Sequence, residues 1–201
     1  TIDAADTAIT CTQTNTRKQA TLTLVKTWVD ALSGETATVT SSGFSNTASS
    51  GLSTSTGNNT TTGSSVAVFA GESGTISEVL SNAGNYTATL ACSGNATPLS
   101  GNTLTINAAD TAITCTQTNT RKQATLTLVK TWVNGLNGDT ATVTSSGFAN
   151  NASTGLSTST GNNTTTGSSV AVFAGGSGTI SELVSNAGND SPTLPCSGNA
   201  T

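Results

Sequence analysis

Three residues, a lysine, a glutamate and an asparagine, each set into an apolar stretch, have types and spacing that could do chemistry. In ATLTLVKTWV, Ala20 to Val29, alternation places Leu22, Leu24, Lys26 and Trp28 on one strand face and Thr21, Thr23 and Thr27 on the other. In TISEVL, Thr75 to Leu80, Glu78 lines up with Ile76 and Leu80, and Asn119 shares a face with Ile113 and Cys115. An amine directed into a core must be paired, neutralised or chemically consumed. If the three strands meet in one core, burial favours the neutral amine and the protonated carboxyl. The amine can then attack the Asn119 side-chain carbonyl, while Glu78 polarises that carbonyl and passes protons to the leaving ammonia. The product is a Lys–Asn isopeptide bond, formed once and without an external enzyme. The competing arrangement is a buried Lys26–Glu78 salt bridge hydrogen-bonded to Asn119, or a register slip that moves all three to the rim.

The elements that would position these groups come from an internal repeat. Shifting the sequence by 104 aligns Thr1 with Thr105 and Cys92 with Cys196 without a gap, and 15 of 97 aligned positions differ. Lys26 recurs as Lys130, whereas the seven residues Pro98 to Leu104 have no second copy. Such near-identity implies recent duplication and two domains within a longer tandem array. The structural frame differs from the repeat frame. Residues 7–14, TAITCTQT, read as a strand with Ile9, Cys11 and Gln13 on one face, and Thr16, Arg17 and Lys18 form a short polar hinge. The expected units are therefore residues 1–17 as the closing strand of a preceding or neighbouring repeat, 18–121 as a complete repeat, and 122–201 as a repeat lacking its closing strand. Within 18–121, strands are expected at 36–40, 66–70, 75–80, 86–92, 103–107 and 111–118. From Ser41 to Ser65 only Phe44 and Leu52 offer anchors, which suggests polar edge strands and long loops. Seven or eight strands at this spacing predict an all-β chain of tandem β-sandwiches.

Composition removes several function classes. Charged residues are 8% and aromatics 3% of the 201, with a net charge of −4, so no basic patch for nucleic acid is available. With no His and no Cys pair at metal-ligand spacing, zinc is not expected, and the scattered Asp6, Asp30 and Glu35 make no calcium loop. No cofactor is implied. No nucleophile motif, paired carboxylates or phosphate loop point to turnover of an external substrate. No apolar run is long enough to span a membrane and no signal peptide is present, as expected of a mature fragment. Thin cores make covalent staples valuable, and four cysteines point to disulfides and a compartment outside the cytoplasm.

LTLVKTW at the opening, TISE followed by NYTATL in the middle and TQTNT at the close resemble the collagen-adhesin B-type, or prealbumin-like (SpaA-like), domains of bacterial surface adhesins and pilins. The resemblance implies an immunoglobulin-like or prealbumin-like sandwich on the cell surface. It also implies an autocatalytic isopeptide joining an inward Lys of the first strand to an Asn of the last, helped by an inward Glu. Carried over by motif, these are Lys26, Glu78 and Asn119, with Lys130 and Glu182 repeating the first two and Asn15 repeating the third. In the same frame Cys92 pairs with Cys115, 23 residues on. Cys11 and Cys196 are left as complementary remnants that would face each other if copies stack head to tail, residues 1–17 of one completing 122–201 of the next. The rival pairing joins Cys11 to Cys92 and Cys115 to Cys196.

The expected role is a structural unit of an extracellular bacterial fibre or adhesin stalk, with neighbouring repeats or identical subunits as partners. The alternative is a ligand-binding adhesin module, in which GLSTSTGNNTTTGSS (Gly51 to Ser65) or its copy recognises a glycan, a host protein or ice. Asn59, Asn85 and Asn95 lie in glycosylation sequons, which also arise by chance in so Asn- and Thr-rich a chain.

Overall fold

The computed structural model describes residues 1–198. The chain divides into two compact units, one holding Thr1–Ala83 and Thr87–Thr120, the other holding Gly84–Tyr86 and the chain from Arg121 onward. The first repeat contains β1 (Gln19–Val29), β2 (Thr36–Ser42), β3 (Ser49–Thr54), β4 (Asn59–Thr62), β5 (Val66–Phe69), β6 (Ser73–Leu80), β7 (Tyr86–Ser93), β8 (Thr103–Thr105) and β9 (Ala112–Arg121).

These strands form two sheets, β4–β1–β9–β7 with β5 also on β1, and β3–β2–β6–β8. The long β1 is the organising strand. Its first half pairs antiparallel with β5, from Gln19↔Phe69 to Leu22↔Val66, and its second half with β4, from Val25↔Thr62 to Trp28↔Asn59. Between β4 and β5 the backbone passes so close to β3 that a Cβ on Gly63 would lie 1.8 Å from the Ser49 carbonyl oxygen, so only glycine fits there. The other edge of β1 pairs in parallel with β9, from Thr21↔Ala112 to Val29↔Thr120. Side-chain alternation on this pair follows the expected parity. Leu22, Leu24, Lys26 and Trp28 point inward opposite Ile113, Cys115, Gln117 and Asn119, and all eight are buried. Leu22, Leu24, Ile113 and Cys115 of this set form one core with Val39, Val68, Ile76, Leu104 and Ile106.

The second repeat contains β10 (Gln123–Leu126), β11 (Val129–Trp132), β12 (Thr140–Ser146), β13 (Ser157–Thr158), β14 (Asn163–Thr166), β15 (Val170–Phe173) and β16 (Thr179–Val184). β10 pairs with β15, β11 with β14, and β12 with both β13 and β16. Among the described residues it has no counterpart of β7, β8 or β9. The sequence Gln123–Val133 is identical to Gln19–Val29, yet it breaks into two short strands because no partner holds its free edge. The β7 counterpart is missing for a local reason: Pro192 and Pro195 stand where the first repeat has Ala88 and Ala91, and proline cannot donate to a ladder. Among its described residues, Leu128, Val143 and Ala152 form a core cluster with partly buried neighbours, and Trp132 and Ala141 are also buried.

Two expectations need correction. Residues 7–14 form no strand and are exposed, although the identical Thr111–Thr118 lies almost wholly within β9. A strand needs a partner for its N–H and C=O groups, and β9 has β1 and β7 while residues 7–14 have neither. The Ser- and Thr-rich tract holds the expected polar edge strands, β3 and β4, and Ser50, Ser53 and Ser55 are buried. The expected hinge at 16–18 is not free. The Arg17 guanidinium donates to the Ala70 carbonyl at 2.8 Å and stacks 5.6 Å from the Phe69 ring, and Arg121 repeats both contacts with Ala174 and Phe173.

Candidate functional site

At the C-terminal end of the β1–β9 pair the inward face changes from apolar to polar. Lys26 comes from β1, Asn119 from β9 two rungs along, and Glu78 from β6 of the facing sheet, where it sits opposite Val39 of β2. The cluster therefore spans the sandwich from sheet to sheet. Lys26 and Asn119 are both 0% exposed and the Glu78 side chain 9%. Lys26 Nζ lies 3.3 Å from Glu78 Oε1, donates to the Thr27 carbonyl at 2.9 Å and stands 4.1 Å from the centroid of the Trp28 ring. Burial pushes the Lys26 amine below the usual lysine range, and the Glu78 charge and hydrogen bond offset this only in part. Asn119 Nδ2 donates to both Glu78 oxygens at 3.0 Å, while Asn119 Oδ1 has no hydrogen-bond partner. A buried carbonyl without a donor costs about 1–3 kcal/mol.

Supporting residues were not singled out by sequence pattern. Trp28 forms the floor beneath the amine and donates through Nε1 to Ser53 Oγ at 2.9 Å, and Ser53 in turn meets Thr61 Oγ1 at 2.7 Å. Gln117, opposite Lys26 in register, is also buried, and the alternation that marked Asn119 marks it too. Other buried carboxylates hold turns: Glu35 accepts from the Ser81 hydroxyl and Asn82 amide, and Asp110 from the backbone N–H groups of Ala96 and Asn107.

In the second repeat Lys130 Nζ lies 2.7 Å from Glu182 Oε1 and 4.2 Å from the Trp132 ring centroid, with side chains 16% and 21% exposed. Beside them opens a cavity of about 1100 Å³ lined by Lys130, Trp132, Val143, Ile180 and Glu182 among others. Asn15 is exposed and belongs to no strand. Cys92 and Cys115 form a disulfide, which excludes the rival pairing, and Cys11 and Cys196 are exposed free thiols.

The family model for the prealbumin-like fold domain matches residues 17–117 and again residues 121–201. Comparison with curated proteins and with solved structures returns no match. Among the described residues no helix is long and apolar enough to cross a membrane, which says nothing of a β-barrel.

Proposed function

The chain belongs to the prealbumin-like fold domain family, a structural family typical of surface pilins and adhesins, and from that premise we propose that it is a segment of an extracellular bacterial fibre or adhesin stalk. Its complete unit is closed by an isopeptide bond between Lys26 and Asn119. The observation that carries this reading is the burial of an amine and a carboxamide against one carboxyl, with the carboxamide oxygen left unpartnered.

The chemistry uses only these side chains. Transfer of the Lys26 proton to Glu78 leaves a neutral amine and a protonated carboxyl, the combination that a dry site favours. Half a turn of the Asn119 amide exchanges its oxygen and nitrogen, so that Glu78 donates to Oδ1 and polarises the carbon. Lys26 Nζ adds to Asn119 Cγ, Glu78 carries a proton from Nζ to Nδ2, and the Cγ–Nδ2 bond breaks. One amide forms and one ammonia leaves.

Such a unit suits a stalk, because duplication lengthens an array whose members contact only neighbours. The binding-module reading is less well supported: two serines of the polar tract, Ser53 and Ser55, are buried and Ser53 holds the Trp28 indole, so the tract builds the sandwich. Intact mass of the reduced chain tests the proposal. The expected mass is one ammonia below that of the sequence, with the full mass restored in Glu78→Gln; a full-mass wild-type chain overturns it.

A further inference from the structure

The two repeats differ at one buried arginine in a way that removes a carboxylate and keeps the groups that hold it. We propose that the second repeat binds the carboxylate of a small external acid, held where Glu72 sits in the first repeat. The proposal goes beyond the stalk reading and uses none of its cross-linking chemistry.

The first repeat shows what the cradle holds. Glu72 Oε2 accepts from the Phe69 N–H at 2.9 Å, and Oε1 accepts from the Ser45 N–H at 3.3 Å and from the Ser45 hydroxyl. The Arg17 guanidinium stands 3.6 Å from Oε1, fixed by its bond to the Ala70 carbonyl and its stacking on Phe69. Burial raises the Glu72 pKa, but the Ser45 and Phe69 hydrogen bonds and the Arg17 charge outweigh it and hold the carboxyl below the usual range. The cradle therefore favours an anion.

In the second repeat the cradle recurs without its glutamate. Two of the 15 differences fall here, Ser45 becoming Ala149 and Glu72 becoming Gly176. Arg121 keeps the place of Arg17, its Nε donating to the Ala174 carbonyl at 2.6 Å and its guanidinium stacking 5.6 Å from the Phe173 ring. Phe173 faces Gln123 in register as Phe69 faces Gln19, so its N–H points away from the ladder in the same way. The turn is also the same, since the Gly176 N–H donates to the Phe173 carbonyl at 3.0 Å as the Glu72 N–H does to Phe69. A Cβ built on Gly176 would meet only that carbonyl and, at 3.7 Å, Arg121 Nη2, so the guanidinium edge is aimed where the acid side chain would leave the backbone. Asn85, which belongs to the same unit, brings its Nδ2 to 2.6 Å from a Cβ built on Gly175 and adds a donor.

Every group that touches the Glu72 carboxylate has its counterpart among the described residues of the second unit, so the site follows from the two substitutions alone. Arg121 is only 9% exposed, and the ion pairs of the described residues are Arg17–Glu72, Lys26–Glu78 and Lys130–Glu182, none of which includes it. A buried guanidinium gains most from a carboxylate, whose two oxygens match its planar fork and the adjacent N–H groups. Ala149, Gly175 and Gly176 are exposed, so the approach from solvent is open.

Amide NMR of the whole chain, titrated with sodium acetate and in a second arm with sodium glucuronate, at ionic strength held constant with chloride, tests the proposal. The Phe173 and Ala149 N–H signals should shift and saturate with a dissociation constant of about 1–10 mM. Those of Phe69 and Ser45, whose cradle Glu72 fills, should stay put. A constant at least about tenfold lower for glucuronate assigns the site to an acidic sugar, and any smaller difference assigns it to the bare carboxylate. Gly176→Glu restores the residue of the first repeat and should abolish the saturation in a folded chain. Conversely, Glu72→Gly/Ser45→Ala should make the Phe69 signal respond as Phe173 does. Shifts that stay linear to about 100 mM in both arms overturn the proposal, as does a Gly176→Glu chain that still saturates at the same signals. No outcome depends on the Lys26–Asn119 bond, which mass alone decides.

Discussion

The amine of Lys26 sits where a charge is poorly tolerated, between an indole ring and one carboxyl that it shares with Asn119. Removing one partner of such a buried pair should be costly: in protein unable to cross-link, Lys26→Ala should lower stability by about 3–5 kcal/mol in urea unfolding. An effect below about 1 kcal/mol would mean the pair is effectively solvated. The lowered Lys26 pKa also fixes a sign. An unfolded lysine keeps its proton up to about pH 10.4, whereas the folded one releases it earlier. Between those two values the unfolded chain binds more protons, so the stability of unreacted protein rises with pH across the window. Asn119→Ala, which cannot react, should show that rise in denaturant midpoints, and Lys26→Met/Asn119→Ala should lack it. A midpoint that falls instead would contradict the buried amine. This trio was legible in the sequence because period-two alternation is a rigid rule over strands as long as β1 and β9. Ser53 and the floor formed by Trp28 were not, since pairing between distant strands decides which small polar groups meet.

The strands themselves were largely legible wherever β-branched and apolar residues alternate, as in β1, β2, β6 and β9. Two failures have different physical causes, the dependence of a strand on its neighbours and the inability of proline to donate to a ladder. Residues 7–14 and β9 carry the same sequence, yet only the segment with partners is a strand. In the second repeat the warning was present in Pro192 and Pro195, which stop the counterpart of β7 from forming a ladder. The β7–β9 pairing is reinforced by the Cys92–Cys115 disulfide across a separation of 23 residues. A loop of that size is worth about 3 kcal/mol by chain entropy, so Cys92→Ala/Cys115→Ala should lower the unfolding free energy by that order. No loss in guanidinium unfolding would show that the bond constrains nothing.

For the whole molecule, the consequence is mechanical. The chain enters β1 at Gln19 beside the start of β9 and leaves at Arg121 beside the end of β1, so tension slides two parallel strands past each other. With Lys26 bonded to Asn119, everything between them is shielded from that load. Pulled singly under reducing conditions, Asn119→Ala should release its roughly hundred residues as an extension of about 350 Å, at 3.3–3.6 Å per residue. The wild-type unit should release almost none. A wild-type extension as long as the variant's would show that no bond bears the load. Trypsin gives the most direct reading of the same claim, because no Lys or Arg lies between Lys26 and Arg121. A Lys26 bonded through Nζ resists cleavage, so the digest of reduced protein should yield one peptide from Gln19 to Arg121, one ammonia lighter than its sequence. Recovery of Gln19–Lys26 and Thr27–Arg121 as separate peptides of full mass would contradict the account.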